Sequence, residues 1–286
     1  VSYILVTNDD GVDSPALMPL ARAMARIAPV RIVVPEGERS WIGKAISRWS
    51  EVRVERVERD GFAIARVGGL PADCVNLAVH SLFGETPVLV VSGVNLGLNT
   101  ALGLFLSSGT IGAAMEAWIA GIPALAFSAG LQGRDREWKA HAAHPKMRAT
   151  WDRAAGLAES VTRTVWELGL PTGADLLSVN FPIGADAGTE RVVTDLAPLG
   201  YEALFRRRDD GCYVHEFSGV LRDEEGLDPG TDVEVVRSGR VSITPVRLPH
   251  TVALDDRMRA ALEARGSAPT MRSPLVAKRA NDRDRD

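Results

Sequence analysis

Asp9 and Asp10 stand side by side after a short apolar run, Tyr3 to Thr7, and Gly11 follows at once. Adjacent carboxylates repel each other, and a hard divalent cation such as Mg²⁺, Mn²⁺ or Ca²⁺ relieves that repulsion. The plainer reading makes Asp10-Gly11 a turn, with Asp13 or Ser14 capping the next helix. Two more polar loops follow apolar runs in the same way. PEGERSWIGKAIS (35–47) carries Ser40 and Lys44, and SGVNLGLN (92–99) carries Asn95 and Asn99. Ser hydroxyl and Asn carbonyl oxygens are neutral hard ligands that complete an oxygen shell. They serve equally as an ordinary loop hydroxyl and as turn-tolerant amides. Finally, Ser107-Ser108-Gly109-Thr110 precedes a helix expected from Ile111. Free N–H groups at a helix N-terminus cradle phosphate, although a plain N-cap uses the same residues.

Several chemistries are excluded by spacing. No GxGxxG lies between a strand and a helix, and no GxxxxGK[ST] occurs, so dinucleotide and P-loop readings fail. Haloacid dehalogenases need two aspartates with one residue between them, whereas Asp9 and Asp10 are adjacent, and Ser92-Gly93 lacks the GxSxG elbow of serine hydrolases. The histidines, at 80, 141, 144, 215 and 250, have no metal-pair spacing; His215 and the 141/144 pair are the weak site candidates. Met18 and Met24 fit core packing.

Such residues need a scaffold that gathers loop ends. Tyr3–Thr7, Val30–Val34, Pro87–Ser92, Ala124–Ser128 and Leu176–Asn180 read as short buried strands. Helices are expected over 16–28 (capped by Ser14 with Pro15 at the first position), 71–82, 111–120 and 150–168. This alternation predicts an α/β, Rossmann-like, mostly parallel sheet with helices on both faces. Glu51–Glu58 and Phe62–Val67 form a hairpin across Arg59-Asp60-Gly61. Residues 130–147 read as a charged loop or lid. After Pro182 the pattern predicts an antiparallel extension, with strands near 191–194, 201–206, 213–217, 232–237 and 241–245. Turns fall at Asp209-Asp210-Gly211 and Ser238-Gly239, and a last helix spans 255–264. The domain reading is a catalytic core over 1–182, an extension with an oligomerisation arm and helix over 183–266, and a disordered tail over 267–286.

Composition narrows the function. With 33 Lys+Arg against 37 Asp+Glu, the net charge is −4, unsuited to coating a nucleic-acid polymer. Residues 273–286 hold four basic and three acidic side chains, leaving −5 on the rest. No apolar stretch suits a membrane span and the start does not read as a signal peptide. Cys74 and Cys212 are too few for a disulfide scaffold, so the cytoplasm is the expected compartment.

Taken in order, ILVTNDDGVDSPAL, the Ser40 loop, GLPADCVNLA (69–78), SGVNLGLN, SSGTIGAAMEAWIAGIPALAFS (107–128) and TDVEVVRSGRVSITPVRL resemble the SurE family of survival-protein nucleotidases. The resemblance implies a metal-dependent phosphatase acting on nucleoside 5′- or 3′-monophosphates, in some members also on short polyphosphate. It implies one divalent ion per subunit, Mg²⁺ or Mn²⁺ (Ca²⁺ in a crystal), held by Asp9, Asp10, Ser40 and Asn95. Asn8, Asn99, Ser108, Gly109 and Thr110 would line the phosphate site. It also implies a homodimer or homotetramer exchanging C-terminal arms, the pieces at 200–219 and 255–264.

Catalytic work would fall to Asp9 and Asp10, which orient or deprotonate a water attacking in line, or attack directly as a nucleophile. Two departures from the family pattern stand out. Trp41 follows Ser40 where many members have a small residue, and the largely apolar TALGLFLS (100–107) replaces an acidic, tyrosine-containing stretch. They motivate two alternatives, the same chemistry on a specialised phosphorylated metabolite and a non-catalytic metal-binding assembly protein.

Overall fold

A computed structural model describes residues 2–130, 138–217, 221, 227–248 and 251–263. Val1–Leu248 form one compact unit; the second begins at Pro249 and holds helix α8 (Asp256–Glu263), whose side chains are exposed.

The first unit is built on a nine-stranded sheet in the order β3-β4-β2-β1-β5-β6-β7-β11-β8. Its strands are β1 (Ile4–Thr7), β2 (Val30–Pro35), β3 (Val54–Arg59), β4 (Phe62–Val67), β5 (Leu89–Leu96), β6 (Ala124–Gly130), β7 (Leu176–Pro182), β8 (Arg191–Val193) and β11 (Val241–Val246). The central pairs are all parallel, from β4–β2 across β1, β5 and β6 to β7. Antiparallel pairs occur at β3–β4 and β7–β11. Successive residues of β1 feed opposite faces. Ile4 and Val6 pack towards α1 (Leu17–Ala25) and α6 (Arg148–Leu168), while Tyr3 and Leu5 pack towards α2 (Pro71–Leu77) and α4 (Gly109–Ile119). Each large apolar side chain buried there, Leu17 or Trp151 for example, contributes ~1.5–3 kcal/mol. The α/β architecture expected from the alternating pattern is the one observed.

The topology also locates a crevice. From β1 the chain moves outward through β2 to β4 and β3, then returns to the other side of β1 as β5. Ligands of open α/β sheets bind at such a reversal, beyond the carboxyl ends of the strands.

Several local expectations are corrected. Ser14 does not cap α1: the helix starts at Leu17 without a side-chain cap, and the buried Ser14 hydroxyl has no partner. The TALGLFLS stretch folds over residues 101–107 as helix α3 (Ala101–Ser107) rather than as a loop. Residues 232–237, expected as a strand, form helix α7 (Asp232–Arg237), so Ser238-Gly239 ends a helix rather than turning a hairpin. The alternation of DVEVVR is overridden by Asp232 and Glu234 in the first turn and by Gly239 at φ +84°, which closes the helix. The extension is therefore not uniformly antiparallel. β8 pairs with β11 in parallel, which the long connection through α7 permits. The turn at 209–211 does join an antiparallel pair, β9 (Phe205–Arg207) and β10 (Tyr213–His215), shorter than expected. Within 130–147 the structure gives helix α5 (Trp138–Ala143) and a 3₁₀ turn at 145–147; residues 131–137, His250 and the tail lie outside the described residues.

Candidate active site

Asp9 leaves the carboxyl end of β1 and is almost fully buried. Its Oδ1 accepts a hydrogen bond from the Thr110 hydroxyl at 2.5 Å. The backbone N–H groups of Gly109 and Thr110 also hold its charged form, so the N-terminus of α4 faces this carboxylate. Burial outweighs those bonds and pushes the Asp9 pKa up to about 6. The fit is tight: a Cβ on Gly109 would stand 2.8 Å from the Asp9 Cβ. Asp10 is half-buried, and its Oδ2 accepts from the Leu96 N–H of β5 at 3.2 Å. Asn8 shapes the turn behind them, since its amide both donates to the Gly11 carbonyl and accepts from the Gly11 N–H. Gly11, at φ +90°, lies so close to the next loop that a Cβ would meet Gly37 at 2.8 Å.

The loop after β2 is fastened at several points. The Arg39 N–H donates to the Asp9 carbonyl at 2.7 Å, and the Gly43 N–H to the Ser107 carbonyl at 2.9 Å. Lys44 pairs at 2.5 Å with the buried Glu116 of α4, which also accepts from Asn76. Below that pair, Gly112 allows the loop to touch the helix, for a Cβ there would stand 2.2 Å from the Gly43 carbonyl oxygen. Asp73 accepts from the Ser47 N–H, and from the Leu70 N–H at the start of α2. Ser40 is exposed at the crest of the loop, its hydroxyl donating to Glu38 at 2.6 Å.

On the other side of β1, β5 breaks register with β6 between Ser92 and Asn95. Asn95 donates through Nδ2 to the Gly97 carbonyl, which leaves its Oδ1 as the ligand-type atom. Asn99 is buried and fixed twice. Its Nδ2 donates to Ser128 Oγ on β6, and its N–H to Asn180 Oδ1 on β7, both at 2.8 Å. Ser108 caps α4 by accepting from the Ile111 N–H, so the capping reading of this segment holds.

Asp9, Ser40, Asn95, Asn99 and Ser108 line one cleft of about 1830 Å³. Asn8, Gly109 and Thr110 are buried and, like the half-buried Asp10, are not part of its lining. Among the described residues no cluster of three His, Cys, Asp or Glu side chains exists, so any cation here would rest on two carboxylates and neutral oxygens. Among the described histidines, only His215, on β10, lines this cleft. Sequence reasoning missed Ser128, Asn180 and Asp232. The first two are the polar residues that interrupt apolar runs at strand ends, a signal present in the chain. Asp232, the buried first residue of α7, accepts from the N–H groups of Ala101, Ala197 and Val233; burial raises its pKa all the same. Only the fold brings Ala101 and Ala197 to it.

Residues 4–203 match the family model described as "Survival protein SurE". The chain is 37% identical over 256 residues to a protein of Methanothrix thermoacetophila named 5′-nucleotidase SurE, covering 88% of this chain and 95% of that one. It is 39% identical over 250 residues to 5′-nucleotidase SurE 1 of Thermus thermophilus, covering 86% and 91%. The crystal structure of a SurE protein from Aquifex aeolicus superposes with a TM-score of 0.70 at 28% identity, covering 92% of this chain and all of that one.

Proposed function

The chain belongs to the SurE family, and from that premise we propose that it is a divalent-metal-dependent phosphatase that hydrolyses nucleoside 5′-monophosphates to nucleoside and phosphate. Nucleoside 3′-monophosphates and short polyphosphate are the further substrates of this reading. The observation that carries it is Asp9, a buried carboxylate faced by a helix N-terminus and paired with no Lys or Arg among the described residues. A buried anion without a cationic partner is costly, and a hard cation between Asp9 and Asp10 supplies the missing charge.

The donor set fits such an ion. Asp9, Asp10, the Ser40 hydroxyl and the Asn95 carbonyl are all oxygen ligands of the kind Mg²⁺ and Mn²⁺ take. Bound there, the ion supplies positive charge for the phosphoryl oxygens and acidity for a water. The chain's own residues do the rest. Thr110 fixes one Asp9 oxygen, and Asp9 or Asp10 orients the attacking water and takes its proton. Ser108, Gly109 and Thr110, at the start of α4, contribute helix-terminal polarity to the phosphate. Asn99, held by Ser128 and Asn180, presents its amide to the same anion. A homodimer or homotetramer exchanging C-terminal arms, in the cytoplasm, completes the proposal; the exposed Phe205 and Tyr213 of the hairpin and two unpaired cysteines support it.

The test is AMP hydrolysis with and without chelator. Turnover is expected to vanish in EDTA, to return with Mn²⁺ or Mg²⁺, and to be absent in Asp9→Asn. Chelator-resistant turnover overturns the reading.

A further inference from the structure

We propose that Trp41, with His215 of the β9–β10 hairpin and Phe217 just after it, forms a stacking platform for the aromatic base carried by the leaving group, which makes Trp41 a specificity-determining residue. The inference rests on the phosphomonoesterase reading of the Asp9 centre and adds the chemistry of what the phosphate is attached to.

Trp41 adjoins Ser40 and has φ +58°, a left-handed conformation that a bulky side chain adopts only where its surroundings impose it. Those surroundings are aromatic. The indole lies 5.1 Å from the Phe217 ring, 4.8 Å from His215 and 5.6 Å from Tyr201. Phe205 stands against His215 at 5.8 Å. These rings come from segments far apart in the chain, and they meet at a position where the backbone is held in an unfavourable conformation.

The angles between the rings matter. The indole meets its neighbours at 59° to 72°, so every contact is edge-on or tilted and none is a parallel stack. Trp41 is 37% exposed. A flat ring can therefore lie on it without displacing an existing stack. Trp41, His215 and Phe217 line the same cleft as Asp9 and Ser40. At about 1830 Å³ that cleft exceeds what a phosphate alone requires, and it is larger than the roughly 300–1,000 Å³ of common small-ligand sites. Stacking tolerates any base because every base has a π-face. The platform thus favours nucleotides as a class over sugar phosphates, with little choice among bases.

The competing account makes the rings a latch that only fastens the hairpin to the loop. The two differ in what they do to substrates without an aromatic ring. The experiment compares AMP with ribose 5-phosphate for the wild type, Trp41→Ala, Trp41→Tyr and Phe217→Ala, using the full-length protein with Mn²⁺. For Trp41→Ala, kcat/KM on AMP is expected to fall roughly 5- to 100-fold, mainly through KM, with ribose 5-phosphate within about twofold of wild type. Trp41→Tyr restores most of the loss. A parallel fall on both esters, or no fall on AMP, overturns the platform.

Adenosine binding by calorimetry tests the platform without turnover. The wild type is expected to bind adenosine, and Phe217→Ala to bind it several-fold more weakly, even if Trp41→Ala does not fold. Equal binding by the two proteins, or none by the wild type, refutes the platform. A wild type that cleaves neither ester refutes the phosphatase reading on separate grounds.

Discussion

The carboxyl ends of β1 and β5 and the β9–β10 hairpin border the same cleft but are held together by different forces. At the strand ends, Asp9, Asn99 and Thr110 are buried and fixed by hydrogen bonds that cross from one element to another. On the hairpin, Phe205 and Tyr213 are exposed, and the polar contacts are surface pairs such as Arg206 with Glu216. Bond-making needs positions fixed to fractions of an ångström, which buried and satisfied polar networks provide. Gripping a leaving group tolerates a softer wall of rings. The molecule separates the two tasks by depth.

The sharpest attack on this contrast is Asp9→Asn. A loss of roughly 10³-fold or more in kcat/KM on AMP is expected, about 4 kcal/mol of transition-state stabilisation. Without metal the variant should melt no lower than wild type, because a neutral amide escapes the burial penalty that raises the Asp9 pKa. A variant that loses activity only because it unfolds would erase the distinction between site and scaffold.

Asp232→Ala comes next. It strands three buried N–H groups and should cost ~3 kcal/mol in denaturant unfolding. Asp232→Asn should lose less. Because burial raises the folded-state pKa of Asp232, the folded protein holds that proton more tightly than the unfolded chain. Wild-type stability from this group is therefore full at acid pH and declines as pH rises through and above the ordinary Asp range. The gap between wild type and Asp232→Asn should narrow with rising pH; a widening gap contradicts the assignment.

Mn²⁺ at a hundred times its dissociation constant should add ~2.7 kcal/mol, read as a rise of several degrees in Tm. The same addition to Asp9→Asn should leave Tm nearly unchanged. Smallest of all is Arg206→Ala, an exposed pair expected to contribute ~0–1 kcal/mol, with AMP turnover altered by less than about threefold. A large effect there would show the hairpin to be as rigidly built as the strand ends.

Much of the buried half of this contrast was legible in the chain. Short runs such as YILVT and ALAFS marked the parallel strands, and polar residues at their ends marked the loops that converge. Ser40 and Asn95 stand out as candidates because each follows an apolar run, although Asn95 proves to lie within β5 rather than in a loop. What escaped was structure decided by distant partners. Residues 101–107 include Gly103 and present exposed Leu102 and Leu106, a weak helix by propensity. The helix exists because the N–H groups at its start are taken by Asp232, Ala197 and Leu199, a century of residues away. DVEVVR misled for the opposite reason, its β-branched alternation being local while its capping is contextual. Ser14-Pro15 carried a cap signature that the chain left unused.

The contact between Gly43 and Gly112 has a consequence for reading related sequences. Gly is normally a poor residue inside a helix such as α4, and here it lets a backbone oxygen approach within what would be 2.2 Å of a side-chain carbon. Positions 43 and 112 are thus a matched pair. A relative with Ala at the second position must carry a loop that rides higher or runs longer at the first, and with it a displaced Ser40. Covariation between these two positions would mark how far the Ser40 wall of the cleft has shifted from one relative to the next.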